Sequence, residues 1–202
     1  MVPNEQEVAQ IAENWALFRK LCGRLGTRTE NVQKMLDYFE DRAPYAPASS
    51  RTEYHGAYAG GLVEHSIRVL TIARKLNKAL DYGHDIEELI MSCLFHDWGK
   101  VGDTTHDRYL PQESDWHRER GMVYTHNKDA QFMMVDDCSM FLFNQFGITL
   151  TQDEWLAIQL NDGPYPAKNH PYGMKEPNLA LIVHAADRFA CVEEEGRTSV
   201  LG

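Results

Sequence analysis

The residues of this sequence best suited to chemistry are His96 and Asp97. They are adjacent at the end of the apolar run Ile90-Met91-Ser92-Cys93-Leu94-Phe95, with Trp98, Gly99 and Lys100 just beyond. A neutral imidazole beside a carboxylate is a poor pair to bury unless something satisfies both, and a divalent metal does, because it takes nitrogen and oxygen ligands together. The alternative is a helix end at which His96 caps backbone carbonyls and Asp97 meets a basic residue. His65 lies on another helical stripe, running His65, Val69, Ile72, Leu76 and Leu80. Alone it reads as a hydrogen-bonded core histidine; taken with His96 and Asp97 it reads as a first ligand. Further on, His184 and Asp187 are three apart on one helical face, with Arg188 beside them.

Helices must position these groups, and the chain supplies mostly helical patterns. Val8, Ile11, Trp15, Phe18, Cys22 and Leu25 alternate at three and four residues, predicting an amphipathic helix over 5–25 that packs on the domain or on a second subunit. A second helix is predicted over 30–42, with Val32, Met35, Leu36 and Phe39 inward. Pro44 and Pro47 make 43–50 a loop. Gly60 and Gly61 open the helix of His65, and Asp85 with Glu88 forms a capping box for the helix that delivers His96 and Asp97. A hairpin is predicted across 107–126, with extended pieces at 108–110 and 122–125 and a charged tip over 113–120. Helix resumes over 128–146, and Thr151 with Glu154 caps another through Leu160. Asn161-Asp162-Gly163-Pro164 stops it. A loop with Pro164, Pro166 and Pro171 then runs to Pro177, where the last helix starts. The chain divides into N-terminal helices over 1–44 and a main domain over 45–202. It carries no internal repeat, P-loop or G-x-G-x-x-G.

Composition narrows the function classes. With 202 residues, 43% hydrophobic and 25% charged, the chain is an ordinary globular protein. A net charge of −10 argues against a surface that coats nucleic acid, while leaving room for a small anion in a local metal-lined pocket. The N-terminus shows no cationic segment followed by an apolar run, and no apolar stretch approaches about 18 residues, so neither a secretory signal nor a membrane span is expected. Cys22, Cys93, Cys138 and Cys191 are widely separated and read as thiols in a reducing cytoplasm.

Taken in order, His65, His96-Asp97 and Asp187 resemble the His…His-Asp…Asp signature of the HD superfamily of metal-dependent phosphohydrolases. The likeness extends to the flanking residues. The stretch Tyr54-His55-Gly56-Ala57-Tyr58-Ala59-Gly60-Gly61-Leu62-Val63-Glu64-His65-Ser66 is similar to the approach to the first histidine in small bacterial and tailed-phage members. His96-Asp97-Trp98-Gly99-Lys100 resembles their His-Asp-x-Gly-Lys, and His184-Ala185-Ala186-Asp187 their closing helix. The resemblance covers about residues 45–192. It implies an all-α helical bundle, here with a small β-hairpin insertion, and a metal held by His65, His96, Asp97 and Asp187. The implied activity is hydrolysis of phosphomonoesters, phosphodiesters or nucleoside triphosphates.

Two imidazoles and two carboxylates leave about two positions open on a six-coordinate ion, and water bound there loses a proton far more easily than bulk water. Mn, Fe, Co, Ni and Zn suit such a set; Mg suits two imidazoles less well. Asp97 and Lys100 are the expected catalytic residues. Lys100 either neutralises a phosphoryl oxygen or simply pairs with Asp97; Arg188 either clamps the substrate or faces solvent. The sequence departs from the family at two places. The relatives' His-Gly-x-x-Ser falls on Val135-Asp136-Asp137-Cys138-Ser139, and their His-Asp-Gly on Asn161-Asp162-Gly163, each without its histidine. One ion per chain is therefore expected. Asn161, Asp162, Tyr165, Lys168 and Asn169 are expected to meet the substrate from the proline-rich loop, while His55 is either substrate-side or incidental. With an acidic surface, the expected substrate is a nucleotide or related small phosphate ester. The alternatives are a 3′-5′ exonuclease and a catalytically decayed domain kept for binding or assembly. A homo-oligomer is compatible with all three.

Overall fold

The computed structural model describes residues 3–194. Its elements are the helices α1 (Glu5–Cys22), α2 (Thr29–Tyr38), α3 (Gly61–Leu80) and α4 (Ile86–Phe95), the strand β1 (Tyr109–Pro111), the short helix α5 (Asp115–Arg118), the strand β2 (Tyr124–His126), and the helices α6 (Val135–Gln145), α7 (Gln152–Gln159) and α8 (Asn178–Glu194). The fold is all-α with one two-stranded antiparallel ribbon. None of the described helices is long and apolar enough to cross a membrane.

Local sequence sets the helix starts. Asn4 with Glu7, Asp85 with Glu88 and Thr151 with Glu154 each form a reciprocal capping box, opening α1, α4 and α7. Each cap is worth about 1 kcal/mol. Helix α3 lies between α4 and α8, its most extensive neighbours, while α1 lies against α2, α3 and α4. The first helix therefore closes the same core as the rest. Phe18 of α1 packs within 6 Å of both Phe95 (5.5 Å) and Trp98 (5.9 Å), and Phe39 meets Trp98 at 6.0 Å. These rings form one apolar cluster, and two of them, Phe95 and Trp98, flank His96 and Asp97 in the chain. The four cysteines are buried and unbridged.

Several boundaries differ from the sequence reading. The second helix stops at Tyr38 rather than near residue 42. Arg42 turns away to donate to the Val101 and Asp103 carbonyls and to pair with Asp107, tying this segment to the base of the hairpin. The extended pieces lie one or two residues further along the chain, the second of them a residue shorter, and the charged tip folds into α5 with a Ser114–His117 side-chain bond. Helix α6 starts at Val135, not 128. The Asn127 side chain accepts from the Asp129 amide, a local bond that competes with helix, and Arg108 takes the Met133 carbonyl. On α3, Leu80 ends the apolar stripe in solvent, because the last turn runs past the core.

A candidate metal centre between α3, α4 and α8

Helix α4 ends at Phe95, so His96 is its cap and Asp97 the first residue clear of it. The tight 3₁₀ turn Trp98–Val101 then brings Lys100 back, with its Nζ 2.5 Å from Asp97 Oδ2. His96 donates through Nδ1 to the Cys93 carbonyl at 2.8 Å, which leaves Nε2 pointing out of the helix end. His65, one turn into α3, uses Nδ1 toward the Glu194 carboxylate at 3.1 Å. Its Nε2 lies 2.9 Å from Asp187 Oδ1 of α8. His96 Nε2 is 3.7 Å from that same oxygen and 3.4 Å from Asp97 Oδ2.

Both Nε2 atoms are buried, and neither meets the carboxylate oxygens it faces in hydrogen-bond geometry. Orphaned buried polar atoms are rare in folded proteins; here two of them converge on carboxylate oxygens. The ligand atoms of His65, His96 and Asp97 all lie within 4.8 Å of one another. That donor set, imidazole nitrogen with carboxylate oxygen, fits a divalent transition metal. Glu194 is then the outer partner that fixes the tautomer of His65, and Arg68 holds Glu194 in turn at 3.1 Å. Glu194→Gln is expected to weaken the ion roughly tenfold or more without unfolding the chain. Competition with a chromogenic chelator reads it, and an unchanged affinity would remove Glu194 from the design.

The charges are tightly coupled. Burial works against ionising Asp97, but Lys100 and His96 outweigh it and hold the carboxyl far below its usual range. Asp187 is likewise held low, against its burial, by His65 and His96. Burial also opposes charging His96, yet Asp97 and Asp187 push it up to about 10. Without an ion, therefore, a proton on His96 holds the carboxylates together. The sign follows from the raised value. Stability from protonated His96 is complete below its ordinary value of 6.5 and is lost as pH climbs through about 10. Chelated protein is expected to melt lower along that climb. Ion binding displaces the proton, so the stabilisation added by the ion should grow over the same range. Melting curves with and without chelator test this; parallel pH profiles would contradict it.

The structure thus brings His65, His96, Asp97, Asp187 and Lys100 together. Asn161 is buried and donates through Nδ2 to the His96 carbonyl at 2.9 Å, while its own carbonyl accepts from His184 Nδ1 at 2.7 Å. It latches the end of α4 to α8. Asp162 is exposed, but close enough to the centre that desolvation, Asp97 and Asp187 raise its carboxyl. Lys168 pairs with Asp136 of α6, and Asn169 is buried and donates to the Gly163 carbonyl at 2.7 Å, so both secure the loop itself. Tyr165 and Arg188 are exposed. The His55 ring stacks on His65 at 4.3 Å with Nδ1 3.1 Å from Cys191 Sγ. Burial, and then His65, push His55 down to about 3, so it is neutral. Glu194 and Arg68 were not singled out by the sequence reading. The available signal was helical phase, since Glu194 falls seven residues, about two turns, after Asp187.

Neither a curated protein nor a solved structure matches the chain. The model of the HD domain family matches residues 62–191, a span that contains all four candidate ligands and Lys100. Proteins with this domain are generally hydrolases that bind divalent metals. The match covers well over half of the sequence, and the chain belongs to the HD domain family.

Proposed function

We propose that this chain is a metal-dependent phosphohydrolase that acts on a nucleotide or a related small phosphate ester and holds one ion at His65, His96, Asp97 and Asp187. The observation that carries the reading is the pair of buried, unpartnered Nε2 atoms facing Asp187 Oδ1. Held by these four residues, an ion would supply a more acidic bound water and a Lewis acid for a phosphoryl oxygen. The chain's own groups do the rest. His96, fixed by the Cys93 carbonyl, and His65, fixed by Glu194, present their nitrogens without rearrangement. Lys100 stays an ammonium because Asp97 outweighs its burial, and it offers positive charge to an incoming phosphate. Asp162 stands at the rim, its carboxyl raised by desolvation and by Asp97 and Asp187.

The intact donor set supports an enzyme over a decayed binding domain. The net charge of −10 supports a small substrate over a polymer. The test is to load purified protein with Mn, Fe, Co, Ni or Zn, count bound ions, and measure phosphate release from a nucleotide panel beside single-stranded DNA and RNA. One ion per chain with turnover of the small esters is the expected result. Degradation of the polymers with mononucleotides untouched would make it an exonuclease, and no hydrolysis with any ion would leave a binding domain.

A further inference from the structure

A cavity of about 300 Å³ lies between the turn carrying Lys100, residues 41–47 and the hairpin. Its hairpin wall is dictated by register. Side chains alternate across a strand, and Tyr109 pairs with His126 while Pro111 pairs with Tyr124, so these four share one face. Tyr109, Pro111 and Tyr124 line the cavity, whereas Leu110 and Thr125 fall on the opposite, exposed face. The wall also includes Lys100, whose ammonium touches Asp97. Arg42 borders the cavity too, but its guanidinium is committed to the Val101 and Asp103 carbonyls and to Asp107. The space thus has the Lys100 ammonium, paired with Asp97, at the end nearest the His–Asp cluster and tyrosine rings along its side, with Asp41, Asp107 and Arg108 also in its lining.

The proline-rich loop is a poorer recognition surface. Its Lys168 is paired with Asp136 of α6, its Asn169 donates within the loop, and Tyr165 is 81% exposed, its ring 6.3 Å from that of His184.

Resting on the phosphohydrolase reading, we propose that the inner face of the hairpin recognises the alcohol part of the ester. Tyr109 and Tyr124 would stack on a planar base while the phosphate sits at Lys100. The volume is at the low end for ligand pockets and suits one nucleoside monophosphate rather than a run of bases.

Binding is measured calorimetrically on the metal-loaded full chain with two probes that hydrolysis cannot consume, an adenosine 5′-phosphonate and methylphosphonate. Wild-type protein should prefer the adenosine probe. Tyr109→Ala and Tyr124→Ala should each weaken it at least about fivefold, the low end for losing one base–aromatic stack, and leave methylphosphonate binding and ion content unchanged. Tyr124→Phe, which keeps the ring, should retain affinity, as should Leu110→Ala on the opposite face. Equal wild-type affinity for the two probes, or tyrosine variants that bind the adenosine probe normally, would overturn the assignment. Loss of affinity in Tyr124→Phe or Leu110→Ala would do the same, showing that the hairpin acts through its fold. Phosphate release separates the two readings. Selective binding without hydrolysis of any ester keeps the pocket and refutes the hydrolase; hydrolysis with no preference for a base does the reverse.

Discussion

Asp97→Ala is expected to lower phosphate release by at least about a hundredfold, the upper range for losing a group that merely supports a metal ligand. Asp97 lies 3.4 Å from His96 Nε2 and 2.5 Å from Lys100 Nζ, so the substitution removes a candidate ligand and the partner of a buried ammonium together. The second loss has its own consequence. Only 11% of the Asp97 side chain and 14% of the Lys100 side chain are exposed. Breaking such a pair from one side costs about 3 kcal/mol, because the remaining charge stays buried. The single variant should therefore be both inactive and less stable. Asp97→Ala combined with Lys100→Met removes the stranded charge, and should recover much of the stability while staying inactive. Denaturant unfolding, ion content and phosphate release on the three proteins separate these effects. Wild-type turnover in Asp97→Ala on every substrate found would end the proposed mechanism.

What was legible in the sequence follows from how local each signal is. Asp85 with Glu88 and Thr151 with Glu154 announce helix starts because a capping box is closed within four residues, and both boxes form. His65 could be placed on the buried stripe of α3 because the phase of one helix is enough to do so. The placement of Asn161 needed the fold. Its amide meets the His96 carbonyl 65 residues away, a contact that no periodicity encodes. Asn127 misled for the opposite reason: its short-range bond to the Asp129 amide defeated a helical pattern and delayed α6 to Val135. Glu194 reaches His65 across 129 residues. Its helical phase was visible, but only the packing of α8 on α3 shows what that phase faces.

Gly99→Ala is expected to be as damaging as the loss of a ligand, by a different route. In the sequence, Trp98-Gly99 reads as the break that ends a helix. The structure gives the glycine another task, and its backbone conformation is not the reason. A Cβ on Gly99 would lie 2.1 Å from the Val135 carbonyl oxygen, 2.8 Å from Cys138 Cβ and 3.0 Å from the Ser139 nitrogen. Two of those three atoms are α6 backbone, which cannot swing aside as a side chain can. Gly99 also donates its amide to Ser139 Oγ at 2.8 Å, and that bond would be pulled apart. Overpacking and a stranded buried donor together should cost about 3 kcal/mol or more. For a chain of this size that corresponds to a melting point lower by roughly 10 °C. Ser139→Ala removes the same hydrogen bond without the clash and should cost only about 1–2 kcal/mol. If the two variants melted together, steric contact would not be what requires the glycine. The effect also reaches the candidate centre, because Gly99 lies between Asp97 and Lys100 on one short turn. Displacing that turn from α6 separates the ammonium from the carboxylate, so Gly99→Ala should lose turnover even at temperatures where it remains folded.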